Sequence, residues 1–294
     1  MAQLLHFTPE LRAQVEHEIE RFLTGFGRPD VIRARIEISV PWNLWVSPSH
    51  ASAQDIALAA FDIALWVFSL DDYTGEDYEA YYDQCLATLA GGTPSPERPV
   101  LRLFADHWER LATRGCQMER YVSSRKDIIV AYRRRNLISR AKLSVRFDEY
   151  LELRRFLIGT RVWLSAWEVL DDFWVPDDQF DAPVVRQALK ALIYGQVLEN
   201  DIYSLKRDIK SGTPNLVLMH AREHGLGVDD AVGSLRTLFR ANEATFRAAK
   251  EAAARECENS ARVRKLLEMM EICLEGSAAL YRMKLDRYEI PPGE

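Results

Sequence analysis

Apolar side chains recur every four residues at Leu11, Val15, Ile19 and Leu23, the repeat of an amphipathic helix. Thr8-Pro9-Glu10-Leu11 supplies a cap and a first-turn proline, so the pattern predicts a helix over 8–23. Residues 39–52 hold Pro41, Pro48 and two tryptophans and are expected to be irregular. The stretch 53–70 is mostly apolar with Asp55 and Asp62 as its only charges, which predicts a largely buried helix. Further helical patterns cover 79–90, 100–116, 118–142, 148–174, 183–208, 216–224, 228–257 and 260–289. Gly91-Gly92-Thr93-Pro94-Ser95-Pro96 and Ser211-Gly212-Thr213-Pro214-Asn215 break the chain between helices. No stretch alternates with period two, and no composition shift marks a boundary. The expectation is one all-α domain over 1–294, a bundle of ten or more helices.

Composition narrows the function. A formal net charge of -6 and a pI near 5.7 argue against a nucleic-acid partner, which needs a basic surface. The four cysteines carry no CxxC spacing and read as thiols of a reducing compartment. The six histidines form no HExxH, which argues against a zinc enzyme. No signal sequence and no apolar run long enough to span a bilayer is apparent, so the expected location is cytoplasmic.

Two oxygen-rich stretches carry candidate chemistry. Asn200, Ser204 and Asp208 are four residues apart each time, which stacks them on one helix face. An amide carbonyl, a hydroxyl and a carboxylate are hard donors suited to Mg2+, which keeps waters and substrate phosphates in its shell. Arg207 stands beside the last of them. In isolation such a spacing is most simply a solvated polar face. The second stretch, Asp71-Asp72-Tyr73-Thr74-Gly75-Glu76, ends the apolar helix. Asp72 and Glu76 are spaced to share a face, with Asp71 adjacent. Acids at a helix C-terminus oppose the dipole, and a bound cation would offset that. Alone, this stretch reads equally well as the start of a solvated loop.

Together the stretches resemble the class I terpene synthases, whose bacterial members show Asp-Asp-x-x-x-Glu and a later Asn-Asp-x-x-Ser-x-x-x-acid. The second motif usually ends in Glu; here Asp208 is one methylene shorter. Arg207 matches the basic residue before that acid, and Asn215-Leu216-Val217 resembles the usual continuation. The family carries a diphosphate-sensing Arg four residues before a helix break. Arg155 and Gly159 fit that spacing, with Arg154 the competing position. Arg287-Tyr288 resembles the family's closing Arg-Tyr pair. The resemblance covers roughly 53–288.

It implies the class I terpenoid synthase bundle with a central active-site cavity. It also implies three Mg2+ ions held by Asp71, Asp72, Glu76, Asn200, Ser204 and Asp208. The implied substrate is a small-molecule isoprenyl diphosphate, geranylgeranyl or farnesyl diphosphate, ionised and cyclised to a terpene hydrocarbon or alcohol. Arg155, Arg207, Arg287 and Tyr288 would neutralise the departing diphosphate, and Gly159 would let the helix bend toward the cation. Phe61, Trp66 and Phe68 are the first candidates for the aromatic lining, with Trp163, Trp167 and Tyr281 behind them. Each also fits plain helix core. A homodimer stays open. The alternatives are an isoprenyl chain-elongating transferase and a non-enzymatic helical interaction protein. Asp171-Asp172 lacks the third Asp that a transferase motif wants, and reads as a helix end and loop.

Overall fold

The computed structural model describes residues 8–24, 30–71, 73, 75–114 and 117–282, and no β-strand occurs among them. In chain order the helices are α1 (Pro9–Leu23), α2 (Asp30–Val46) and α3 (Ala53–Ile63). A π-helical turn (Ala64–Phe68), α4 (Ser69–Asp71), α5 (Tyr78–Leu89), α6 (Pro99–Ala112) and α7 (Glu119–Arg140) follow. The rest are α8 (Phe147–Leu157), α9 (Thr160–Leu170), α10 (Asp177–Phe180), α11 (Pro183–Tyr203), α12 (Leu205–Ser211), α13 (Leu216–His224), α14 (Val228–Glu256) and α15 (Ala261–Arg282). The chain divides into two compact units, one of residues 1–133 with 159–174, the other of 134–158 with 175–294.

Local chemistry explains most boundaries. Thr8 Oγ1 accepts the Leu11 N–H bond at 3.1 Å and starts α1, with Pro9 at the first turn. Ser52 and Asp55 form a reciprocal capping box at the start of α3. Gly212 and Gly225, both at positive φ, end α12 and α13.

Three expectations need correction. Residues 39–46 are helical, not irregular. An interior proline costs about 3 kcal/mol or more, yet Val40, Leu44 and Val46 are buried together, at about 1.5–3 kcal/mol each. Asn43 Nδ2 also donates to the Ser39 carbonyl at 2.9 Å, so polar side chains satisfy backbone beside the proline. The long segment 148–174 is two helices. Gly159 adopts φ 83°, a left-handed conformation that stops α8 and restarts the chain as α9. A Cβ there would sit 2.8 Å from Val67 Cγ2, so the site excludes a side chain on two counts. Likewise 183–208 is interrupted at Ser204, which separates α11 from α12.

The first unit packs around α3, which is buried on nearly every side between α1, α2 and α9. Its mostly apolar run means that Ala53–Asp71, 19 residues, is long and apolar enough to cross a membrane, contrary to the sequence expectation. Most of it is buried as a core helix. Its one interior charge, Asp62, is fully enclosed. Arg125 of α7 pairs with Oδ2, Tyr121 donates to Oδ1 at 2.5 Å, and His107 Nε2 lies 3.1 Å from Oδ1. Arg125 continues to Ser124 Oγ (2.8 Å) and Ser165 Oγ (2.5 Å). Of the basic residues of α7, Arg125 and Arg135 are buried. In the second unit, α11 is the central rod, packed by α8, α13, α14 and α15.

Burial alone would raise the Asp62 pKa, but Arg125, His107 and Tyr121 outweigh it and the pKa lies below its ordinary 3.8. A lowered carboxylate pKa contributes stability above the unfolded value and loses it as pH falls through the folded one. Asp62→Asn should therefore destabilise the chain by about 3 kcal/mol or more at pH 7. In urea titrations that deficit should narrow as the pH drops below 3.8.

Candidate active site

The acidic arm belongs to the first unit. The π-helical turn at Ala64–Phe68 inserts an extra residue into the helix that delivers Asp71, and Ser69 Oγ closes it on the Ala64 carbonyl at 2.9 Å. Asp71 is half-buried at the end of α4, and Glu76 is exposed in the following turn. That turn is held by groups the sequence reading missed. Tyr73 donates to Asp77, Arg98 pairs with Asp77, and Arg98 Nη1 reaches the Tyr73 hydroxyl at 3.1 Å. Tyr73 stacks on Tyr81 with centroids 4.0 Å apart. A Cβ on Gly75 would lie 2.5 Å from the Tyr73 hydroxyl, so this stacked phenol requires the glycine. Arg98 carries no local sequence signal, because its partners are far along the chain.

The Asn-Ser-Asp arm belongs to the second unit. Asn200 and Ser204 lie one turn apart at the end of α11, and Asp208 follows on α12. The Ser204 N–H still donates to the Asn200 carbonyl at 2.8 Å, and the Asp208 N–H to the Ser204 carbonyl at 2.9 Å. The α-helical register thus survives the interruption. Ser204 Oγ donates to Asp208 Oδ2 at 2.6 Å and presents its lone pairs elsewhere. Asp208 Oδ2 also accepts from Asn215 Nδ2 at 2.9 Å, while Arg207 holds Oδ1 through Nε (2.9 Å) and Nη2 (2.7 Å). Asn215 uses its own Oδ1 to cap α13, accepting from Val217 N at 2.9 Å. The Asn215-Leu216-Val217 continuation thus braces the last acid of the arm.

The two competing arginines are separated clearly. Arg154 is 11 % exposed in its side chain and donates from Nη2 to Asn200 Oδ1 at 2.8 Å. It also pairs with buried Asp201, with Nε 2.9 Å from Oδ1. Burial opposes its charge, but Asp201 overrides that and the guanidinium pKa is raised. Arg155 is 42 % exposed, 3.4 Å from Glu152 and over the Phe156 ring. The arginine on the Asn200 arm is therefore Arg154, while the favoured Arg155 makes the surface ion pair.

Of the aromatic candidates, Phe61 is enclosed by Phe22 and His107, with centroids at 5.9 and 5.4 Å. Trp66 stacks on Phe104 at 4.3 Å. Both side chains are buried. Trp163 and Trp167 are buried along α9 with centroids 6.3 Å apart. Asp171 meets His50 Nε2 at 3.0 Å just after α9 ends, a helix end and loop as the sequence suggested. Asp72, Arg287, Tyr288 and the side chain of Phe68 lie outside the described residues. The donor set that remains is Asp71 and Glu76 in one unit, and Asn200, Ser204 and Asp208 in the other. All are hard oxygen groups that fit Mg2+ rather than a softer metal.

Residues 62–245 match the family model described as terpene synthase family 2, C-terminal metal binding. The chain is 29 % identical over 205 residues to pentalenene synthase of Streptomyces exfoliatus, covering 65 % of this chain. That match spans only 60 % of the relative's length. Among solved structures, 2-methylisoborneol synthase of Streptomyces coelicolor, in complex with Mg2+ and 2-fluoroneryl diphosphate, superposes with a TM-score of 0.86. The identity is 14 %, over 99 % of this chain and 96 % of that one. Linalool/nerolidol synthase of Streptomyces clavuligerus gives a TM-score of 0.80 at 19 % identity, over 97 % of both chains. The fold is the helical terpenoid synthase fold.

The arginine assignment has a direct test. Arg154→Leu leaves Asp201 buried and unpaired and should cost about 3–5 kcal/mol in urea unfolding. Arg155→Leu removes an exposed pair and should cost no more than about 1 kcal/mol. Equal costs would contradict the placement.

Proposed function

Since the chain belongs to terpene synthase family 2, we propose that it is a Mg2+-dependent terpene cyclase acting on a linear isoprenyl diphosphate, geranylgeranyl or farnesyl diphosphate. The carrying observation is the second-unit arm. Asn200 presents its amide oxygen to a buried cationic group, Arg154, one turn from a Ser204–Asp208 pair braced by Arg207 and Asn215. Such a scaffold holds oxygen donors in fixed directions, which suits them to a cation carrying an anionic substrate.

Asn200, Ser204 and Asp208, with Asp71, Asp72 and Glu76, would hold the ions, three in number. Bound Mg2+ supplies neutralisation of the charge that develops on the departing diphosphate. Arg207, Arg287 and Tyr288 bind diphosphate oxygens. Burial beside Asn200 supports Arg154 in the anion-facing role over Arg155. Gly159 lets the chain turn from α8 into α9 where no side chain fits. The allylic cation must be kept from water, and an apolar aromatic lining does this while attracting the charge by about 0.5–2 kcal/mol per ring. Phe68, Trp163 and Trp167 are the residues for that lining, and the packing of Phe61 and Trp66 supports core roles instead.

Incubation with geranyl, farnesyl and geranylgeranyl diphosphates and Mg2+ should give a cyclic hydrocarbon or alcohol, read by mass spectrometry of extracts. Asp208→Glu should preserve or raise turnover, and Asp71→Ala, Asn200→Ala and Asp208→Ala should each abolish it. No Mg2+-dependent product from any of the three substrates would sink the reading.

A further inference from the structure

An asparagine that ligates a metal must present its oxygen and not its nitrogen. The two ends of the amide are nearly equal in size, so only their hydrogen-bond partners decide which way the group turns. Around Asn200 those partners are specific. Oδ1 accepts from the Arg154 guanidinium at 2.8 Å, and Nδ2 donates to the Tyr281 hydroxyl at 2.9 Å. Turning the amide over would set its NH2 against a guanidinium, donor against donor, so Arg154 sets the orientation, while the Tyr281 hydroxyl, donor and acceptor both, holds the amide in place. Arg154 occupies one lone pair of Oδ1, and a carbonyl oxygen has two.

The Tyr281 hydroxyl is itself held in place. Its ring lies parallel to Tyr203, with centroids 4.7 Å apart and an interplanar angle of 5°. One turn earlier on both helices, Gln196 of α11 donates to Ser277 Oγ of α15 at 2.9 Å and to Cys273 Sγ at 3.1 Å. Polar rungs four residues apart on α11 therefore meet polar rungs four residues apart on α15. The second rung fixes the height at which the phenol meets Asn200.

We propose that Tyr281 is a positioning residue for the metal arm: its hydroxyl accepts the Asn200 Nδ2–H bond and, with Arg154 on Oδ1, holds the amide in the orientation that offers Oδ1 to Mg2+. This rests on the functional reading above, in which Asn200 is a metal ligand. Partners behind a metal ligand ordinarily change metal affinity by about 10–100-fold when removed. Arg154, fixed on buried Asp201, sets the orientation from the oxygen side, and Tyr281 holds the amide from the nitrogen side.

The test is Tyr281→Phe in the full chain, which keeps the ring stack and removes only the hydroxyl. Inorganic diphosphate is titrated calorimetrically at a series of Mg2+ concentrations. The expected result is an apparent Mg2+ affinity about 10–100-fold weaker, with an unchanged thermal midpoint and with kcat recovered at saturating Mg2+. In an Asn200→Asp background there is no amide to turn, so adding Tyr281→Phe should change Mg2+ affinity less than about 3-fold, well below that range. Wild-type Mg2+ affinity in Tyr281→Phe overturns the assignment, as does an equal loss in the Asn200→Asp background. Failure of the unsubstituted chain to bind diphosphate in a Mg2+-dependent way overturns the functional reading and this assignment with it. Mg2+-dependent binding by the unsubstituted chain with no effect of Tyr281→Phe overturns only the assignment.

Discussion

The carboxylate of Asp201 is the fixed point of the second unit. Its Oδ1 takes Arg154 from α8, and its Oδ2 takes the backbone N–H of Leu216 at the start of α13, at 2.8 Å. Asp201 itself stands on α11, so one buried group ties three helices. Burying two opposite charges is costly, and hydrogen bonds to both carboxylate oxygens offset that cost. The anchoring extends to the neighbouring residues. Asn215 Nδ2 is shared between the Asp201 carbonyl and Asp208 Oδ2, at 2.8 and 2.9 Å. Both Asn200, at one end of the oxygen-rich arm, and Asp208, at the other, are thus referenced to the same ion pair. Precision in the arm comes from this shared anchoring and not from the helix alone, which is interrupted at Ser204.

The first unit uses a related device for another purpose. Asp62 lies on the helix that delivers Asp71, and its carboxylate joins α3 to α6 and α7, with Arg125 extending the network to Ser165 of α9. An all-apolar helix packed on every side has little to fix its rotation or its height, since one small apolar side chain replaces another at modest cost. A single buried carboxylate with three specific partners removes that freedom. The π-helical turn begins two residues later, at Ala64. Rotation is therefore fixed just before the chain takes up an extra residue, and Asp71 emerges in a defined direction.

How far the sequence could be read follows from how local each cause is. The helices over 8–23, 79–90, 216–224 and 228–257 are governed by caps, glycines and apolar spacing within a few residues, and they appear as expected to within a residue or two at their ends. Both oxygen-rich arms were visible because motif residues sit at fixed short spacings on one chain segment. Residues 39–46 were misjudged because a proline is a local signal and burial of Val40, Leu44 and Val46 is not. The π-helical turn left no trace, because an apolar run without polar positions has no phase from which to notice one extra residue. The basic residues of α7 looked alike in sequence. Only burial distinguishes Arg125, enclosed with Asp62, from its exposed neighbours.

The sequence by itself determined the chemistry on offer: an all-helical chain and two arms of hard oxygen donors. Those properties reside in side-chain type and short-range spacing, so they survive without knowledge of the fold. The tertiary structure decided which of two adjacent arginines faces Asn200, which residues brace Asp208, and that the Tyr281 phenol meets the Asn200 amide. Successive residues on a helix point about 100° apart, so Arg154 and Arg155 are interchangeable in a spacing count and face different surroundings in space. Tyr281 lies 81 residues from Asn200, and no pattern along the chain links them. Only the packing of α15 against α11 brings the hydroxyl to the amide.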